Sequence, residues 1–242
     1  MPQFSTAIVV GASSGIGAEL VRELASSGTR VAAVARRLDK LEALAAEFPN
    51  LVISIEHDAT NFHEVPALFQ DITLQLGGLD LIIYNAGVMP EVGMTEFNFE
   101  KDKYMIEVNL LGAIAWLNQA ATRFQGTKTG TIIGVSSVAG ERGRAGQPVY
   151  NASKAAFTTY LEALRNRLSL HGVCVVTVKP GPVDTEMVSH LKMKGMMPAA
   201  TAAKIILSKS GKDGEHYLLY FHKIAFLIIR NIPSVIFRRL KI

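Results

Sequence analysis

Short, nearly unbroken apolar runs punctuate the chain: TAIVV (6–10), RVAAVA (30–35), LVISIE (51–56), LDLIIY (79–84), GTIIGV (130–135) and GVCVVTV (172–178). Each is apolar through most of its length, the pattern of parallel strands covered on both faces rather than of strands with one wet face. Between them apolar positions recur at helical spacing, as in GAELVRELASSG, LDKLEALAAEF and AAFTTYLEALRNRLSL. Gly28 and Gly172 stand where helices would stop before the next strand. HYLL at 216–219 reads as a seventh strand. This alternation predicts an α/β domain: one doubly wound parallel sheet with helices on both faces. There is no repeat, low-complexity stretch or long linker. The one boundary falls near residue 220, which makes residues 1–219 the domain and residues 220–242 a tail.

The tail changes the picture. After Tyr220 it reads FHKIAFLIIRNIPSVIFRRLKI, apolar and basic with no acidic residue. Its longest charge-free apolar run, Ile224 to Ile229, is far below the ~20 residues a membrane-spanning helix needs. Two readings stay open. It is an amphipathic element lying on an anionic membrane surface, or an arm packed on a partner subunit. Pro233 would divide it into two pieces. The net charge of +4 also belongs to it: without Lys223, Arg230, Arg238, Arg239 and Lys241, 20 basic residues face 21 acidic ones. A nearly neutral body argues against nucleic-acid binding, which wants a basic stripe on the folded surface.

Other totals exclude more than they suggest. With 49% hydrophobic residues in 242, the chain is no disordered polymer and can bury one full core. The single cysteine, Cys174, cannot form an internal disulfide, and its strand setting gives it a packing role. The start, MPQFSTAIVV, lacks the basic and long apolar regions of a signal peptide. A cytoplasmic place is therefore expected, peripheral on the inner membrane face if the tail docks there. The sequon Asn151-Ala-Ser153 has no bearing without secretion. The six histidines show no metal-ligand spacing, so no metal is expected.

Candidate chemistry begins where the first run meets the first helix, in VGASSGIGAEL. Gly11, Gly15 and Gly17, with Ser13, Ser14 and Ile16 between them, would let the backbone turn tightly and approach a diphosphate at a helix N-terminus. The second strand ends Ala35-Arg36-Arg37. An acid there would suit the ribose of NAD, whereas arginine suits the 2′-phosphate of NADP. NADP(H) is therefore the preferred cofactor and NAD(H) the alternative; the competing reading of the arginines is a solvated helix start. Tyr150 and Lys154 are four residues apart, so in a helix both face one side. The ammonium would then lower the phenol's pKa and fit it for acid–base work.

With Asp58-Ala59, Asn85-Ala86-Gly87, Asn109, Ser136-Ser137 and Pro180-Gly181 also in order, the chain from about residue 5 to 215 resembles the short-chain dehydrogenase/reductase family. The resemblance implies a single Rossmann-like fold and interconversion of a ketone and a secondary alcohol. It implies Tyr150 as general acid/base, Ser137 bonded to the reacting oxygen, and Ser136 as second candidate. Lys154 would hold the nicotinamide ribose and Asn109 a proton-relay water. Asp58 would contact the adenine, its rival role being a helix cap near Asn61. Val183 and Thr185 would lie near the carboxamide. The family also implies a homodimer or homotetramer. VSHLKMKGMMP, Met-rich, reads as a lid over an apolar substrate or as a loosely packed surface loop.

In the C-terminal half, Ser136–Arg142, Ser189–Lys192 and Ile232–Leu240 resemble the corresponding stretches of decaprenylphosphoryl-2-keto-pentose reductases. That implies an amphiphilic or lipid-linked carbonyl substrate. Arg142 and Arg144 could then receive a substrate phosphate or, alternatively, form a solvated loop. Two rivals remain: the same chemistry on a small soluble carbonyl, with the tail used for oligomer assembly, and a nucleotide-sensing protein without turnover.

Overall fold

The structure is a computed structural model and describes residues 4–191 and 195–240. In chain order the elements are β1 (Thr6–Val10), α1 (Gly15–Ser26), β2 (Arg30–Ala35), α2 (Leu38–Glu47), β3 (Val52–Glu56), α3 (Val65–Leu76), β4 (Leu81–Tyr84), α4 (Phe99–Ile106), α5 (Gly112–Thr127), β5 (Gly130–Val135), α6 (Pro148–Leu168), β6 (Val173–Lys179), β7 (Val183–Asp184), β8 (Met197–Pro198), α7 (Ala199–Leu207), β9 (Gly214–Tyr217), α8 (Tyr220–Asn231) and α9 (Ser234–Phe237). A seven-stranded sheet runs β3-β2-β1-β4-β5-β6-β9, and every pairing in it is parallel. β7 and β8 form a small parallel ribbon of their own.

Alternation along each strand divides the core. Ala7, Val9, Val31, Ala33, Leu81 and Ile83 share one cluster with Leu20, Leu24, Leu41 and Ile206 from α1, α2 and α7. Ile8, Val10, Ala32, Val34 and Ile82 share the other with Phe69, Trp116, Phe124, Phe157 and Leu161 from α3, α5 and α6. Two buried faces explain why these runs are apolar at successive positions. Each fully buried Leu, Ile or Phe side chain contributes roughly 1.5–3 kcal/mol.

The seventh strand sits two residues earlier than HYLL. Gly214–Tyr217 pairs with Val176–Lys179, and Leu218 lies beyond the last pair, buried in the core. The apolar signal there marks packing and not the ladder. Cys174, on β6, is half-buried, and burial raises its thiol pKa to about 11.

The strand order reverses between β1 and β4, so the connections leaving their C-terminal ends part in opposite directions. That opens a crevice at the carboxyl edge of the sheet. Residues 192–194 of the expected lid lie outside the described residues, as do Lys241 and Ile242 of the tail. α8 ends at Asn231, and Pro233 separates it from α9.

Candidate active site

β1 runs into the glycine turn, and α1 starts inside it at Gly15. Gly11 N and Ala12 N donate to Val34 O on β2 at 2.8 and 3.1 Å. Asn85 Nδ2 donates to Gly11 O at 3.0 Å, which ties the end of β4 to the turn. Gly17 packs directly on that turn: a Cβ there would stand 1.9 Å from Gly11 O. A Cβ on Gly11, whose φ is +87°, would come within 2.5 Å of Ala86 N. The N-terminus of α1 carries no acid in its first turn and no side-chain cap from Ser14. Its N–H groups and positive dipole end are thus open to an anion.

The arginines after β2 divide their contacts. Arg37 donates to Ser13 Oγ (2.9 and 3.1 Å), Ser14 Oγ (2.6 Å) and Glu186 (2.7 Å). Arg36 donates to the Tyr104 hydroxyl at 2.5 Å and faces Asp58 at 3.6 Å. Lys40 also reaches Glu186 at 2.5 Å, and hydrogen bonds from Lys40 and Arg37 hold the pKa of that carboxyl at about 2. Asp58 Oδ1 accepts from Thr60 N and Thr60 Oγ1, both at 2.9 Å. It braces a local turn while lining the cavity; the short helix at Phe62–Glu64 takes no side-chain cap.

α6 begins at Pro148, ahead of the stretch picked out by periodicity, and so takes in both Tyr150 and Lys154. Each is buried, at 9% and 4% exposed. The Ser137 side chain lies toward the Tyr150 hydroxyl and lowers the phenol's pKa, while its Oγ accepts from Ala139 N at 3.0 Å. Lys154 Nζ donates to Val135 O at 3.1 Å and lies 5.9 Å from the Tyr150 ring centroid. Ser136 points elsewhere: its hydroxyl donates to Lys154 O at 3.0 Å and meets Thr158 Oγ1 at 2.8 Å, which pins α6 to the end of β5.

Asn109 sits fully buried in a π-helical stretch, Glu107–Leu111, between α4 and α5. Its Oδ1 accepts from Val88 N at 2.7 Å, and its Nδ2 donates to Val88 O at 3.0 Å and Ser153 Oγ at 3.1 Å. A Cβ on Gly87 would be 3.4 Å from both Asn109 Oδ1 and Lys154 Nζ, so these groups converge at Gly87.

The titration of the pair runs against the sequence expectation. Burial raises the pKa of the Tyr150 phenol, opposed by the Ser137 side chain and the charge of Arg144. Burial likewise lowers Lys154 to about 8. An ammonium that is itself hard to charge, and turned toward a carbonyl, does not overcome the desolvation of the phenol.

A cavity of about 460 Å³ gathers nearly all the expected residues. Gly11, Ser13, Ser14, Gly15 and Ile16 line it from the turn, and Arg36, Arg37, Asp58 and Ala59 from the ends of β2 and β3. Asn85, Ala86, Gly87, Ser137, Tyr150, Lys154, Pro180, Gly181, Val183 and Thr185 complete the set. Gly17 and Asn109 stand behind the wall, against Gly11 and Gly87. Among the described residues no group of His, Cys, Asp and Glu could hold a metal ion.

The sequence model described as short chain dehydrogenase matches residues 5–194. The chain belongs to the short-chain dehydrogenase family. An uncharacterized oxidoreductase of Myxococcus xanthus is 38% identical over 187 residues, 76% of this chain and 74% of that one. An uncharacterized oxidoreductase of Mycobacterium tuberculosis is 33% identical over 208 residues, 83% and 82% of the two chains. A short chain dehydrogenase from Burkholderia cenocepacia, solved in complex with NADP, superposes with a TM-score of 0.86 at 26% identity over 98% of each chain.

This short-chain dehydrogenase also relies on residues that the sequence left unassigned or misplaced. Arg142 is not free for a substrate phosphate. Its Nη1 donates to the carbonyls of Ile229 (2.5 Å), Arg230 (3.2 Å) and Ile232 (2.6 Å), and its guanidinium stacks 4.0 Å from the Phe237 centroid. It caps the C-terminal end of α8. Glu141, whose side chain is 2% exposed, meets Arg230 (3.1 Å), Lys179 (2.7 Å) and the Tyr217 hydroxyl (2.6 Å). Lys179 in turn pairs with Glu215 at 2.5 Å. The tail is thereby clamped beside the loop that carries Ser137, and His222 and Phe226 of α8 reach the cavity wall. The spacing of His222, Phe226 and Ile229 was the available signal, since it marks one face of a helix. Phe221, Ile224, Leu227 and Ile228 fall on the exposed side.

Proposed function

We propose that this short-chain dehydrogenase uses NADP(H) to interconvert a ketone and a secondary alcohol, with Tyr150 as general acid/base, on an amphiphilic or lipid-linked substrate. The observation that carries the reading is the meeting of Ser137, Tyr150 and Lys154 with the glycine turn in one cavity. The turn fits a dinucleotide: Gly11 and Gly17 leave no room for side chains, and the α1 N-terminus has no acid of its own. Arg36 and Arg37 would hold the 2′-phosphate, in keeping with the NADP of the Burkholderia cenocepacia complex. When bound, NADP(H) supplies or accepts the hydride.

The chain handles the proton and the oxygen. Tyr150, kept protonated by burial, donates its hydroxyl proton to the alkoxide oxygen as a ketone is reduced; in oxidation it takes that proton back. Ser137 hydrogen-bonds the same oxygen. Lys154, as ammonium, favours the phenolate left behind, and Asn109 holds the Val88 backbone that borders the site. Replacing both Arg36 and Arg37 by alanine is expected to raise the KM for NADPH at least about 100-fold, because charge-assisted hydrogen bonds contribute ~1.5–3 kcal/mol each and two would be lost. The KM for NADH would change little. Equal losses for NADPH and NADH would remove the 2′-phosphate assignment.

The tail supports the amphiphilic substrate. No helix among the described residues is long and apolar enough to cross a membrane. α8 and α9 nevertheless expose Phe221, Leu227, Ile228, Val235 and Ile236, with Lys223, Arg238 and Arg239 exposed among them and no acid. That combination suits an anionic lipid surface, and the C-terminal resemblance to reductases of polyprenyl-phosphate-linked sugars points the same way. The full chain should sediment with phosphatidylglycerol vesicles and not with phosphatidylcholine vesicles. The double variant Leu227→Glu/Ile228→Glu should stay in solution with NADPH binding intact. If that variant instead changes the oligomeric mass and not lipid binding, the outer face of α8 belongs to subunit assembly.

A further inference from the structure

With the residues assigned to the dinucleotide set aside, the cavity keeps a second set of walls, among them Met89, Val138, Arg144, Val188, His222 and Phe226. Most are apolar. His222 and Arg144 are not, and neither is used by the chemistry above.

His222 comes from the inner face of α8 and is 9% exposed. Its Nδ1 is buried with no hydrogen-bond partner among the described residues. The ring lies against Gly181, where a Cβ would fall 2.2 Å from His222 Cε1, so only glycine at 181 admits the imidazole. Its other neighbours are aromatic: Phe221 at 4.2 Å and Phe226 at 6.3 Å between centroids. An apolar side chain would fill this place without an orphaned nitrogen, and buried polar groups normally have partners. The other ring nitrogen, Nε2, is not sealed in this way and makes no hydrogen bond among the described residues, and because His222 lines the cavity it is Nε2 that a ligand would meet.

Arg144 lines the same cavity and acts on Tyr150 through its charge. Its side chain makes one long hydrogen bond, 3.5 Å to Asn151 Oδ1, and no ion pair among the described residues. The other arginines of the cavity and its rim are engaged elsewhere. Arg142, two residues earlier, is consumed by the carbonyls at the end of α8, and Arg36 and Arg37 are already assigned to the dinucleotide. Arg144 is a guanidinium on the wall of the cavity that holds the phenol, and no carboxylate among the described residues pairs with it.

We propose that Arg144 and His222 form the substrate-recognition pair of this cavity, and that the substrate is a ketone bearing an anionic group, phosphate or carboxylate. Arg144 pairs with the anion, His222 hydrogen-bonds a polar substituent, and Phe226 and Val188 cover the apolar part. The assignment rests on the reductase reading above, in which Tyr150 marks the reacting end.

Two probe pairs test it: levulinate against methyl levulinate, and dihydroxyacetone phosphate against dihydroxyacetone. Each is titrated calorimetrically into the NADP+-saturated protein and then assayed with NADPH. At least one anion is expected to bind about tenfold or more tightly than its neutral partner, the scale of one charge-assisted pair. Which pair shows it separates carboxylate from phosphate. Arg144→Gln should bring that ratio near one, Arg144→Lys should restore part of it, and His222→Phe should raise KM more than it lowers kcat. NADPH affinity should be unchanged in all three. Lack of an anion preference in the wild type, absence of any binding included, overturns the proposal, as does a preference that survives Arg144→Gln. Binding without turnover by any probe would count against the reductase reading alone, since the titration still decides the anion preference.

Discussion

Replacing Tyr150 by phenylalanine leaves NADPH binding within about twofold of wild type and lowers turnover by about 10²–10⁴, the range that a positioned acid or base contributes. The ring stays, so the packing with Met105 and Ala139 is preserved; only the hydroxyl on the Ser137 side is lost. The pH profile of the wild type adds a second readout. Burial raises the pKa of Tyr150, so the phenol stays protonated across the neutral range, whereas Lys154 sits at about 8. Lys154 is therefore charged below that pH and neutral above it. The ketone kcat/KM should fall as pH rises through about 8, because the ammonium that favours the departing proton is lost. Full turnover in Tyr150→Phe would dismiss the phenol as the proton donor. Unimpaired binding with no turnover in the wild type, across a broad carbonyl panel, would make the protein a nucleotide sensor.

The second large effect needs a single methyl group. Gly17→Ala is expected to weaken NADPH binding at least about 100-fold and to cost about 1–3 kcal/mol of stability, the usual range for overpacking. The added Cβ would stand 1.9 Å from Gly11 O and 2.8 Å from Asn85 Nδ2, and the backbone of the turn cannot yield without leaving its bonds to Val34. Gly126→Ala is the control. It lies in α5 with nothing within 4 Å of the new Cβ. It should raise stability by about 0.5–1 kcal/mol through helix propensity alone. Thermal unfolding and NADPH fluorescence titration read both. Equal behaviour of the two variants would mean that the turn adapts and that Gly17 is not required by its close approach.

The contacts on Glu141 show how far pattern reading reaches. Glu141, Lys179 and Glu215 are ordinary charged residues in sequence, and nothing in their spacing hints that they meet. The fold brings the end of β6, the loop after β5 and the edge strand β9 to one place, and Arg230 of α8 joins them. Removing one partner from a buried charge cluster leaves the others uncompensated, so the tail and the serine loop are joined by electrostatics that no local pattern encodes. In sequence the tail stands apart for the same reason: its hydrophobicity is visible, but not that its inner face reaches the cavity.

By itself the sequence determined the strand–helix alternation, the two-sided burial of the sheet, the glycine turn and the register of Tyr150 on Lys154. Each of these is a local property, set by periodicity along a few residues or by the absence of a side chain. The tertiary structure alone decided that Ser136 pins α6 to β5, that Arg142 holds α8 while Arg144 is left to the cavity, that His222 enters the site, and that burial and not the lysine governs the phenol. Those outcomes depend on distances between segments far apart in the chain and on how much water is excluded where they meet. Hydrogen-bond partners and desolvation are properties of the assembled packing, and they have no counterpart in the order of the residues.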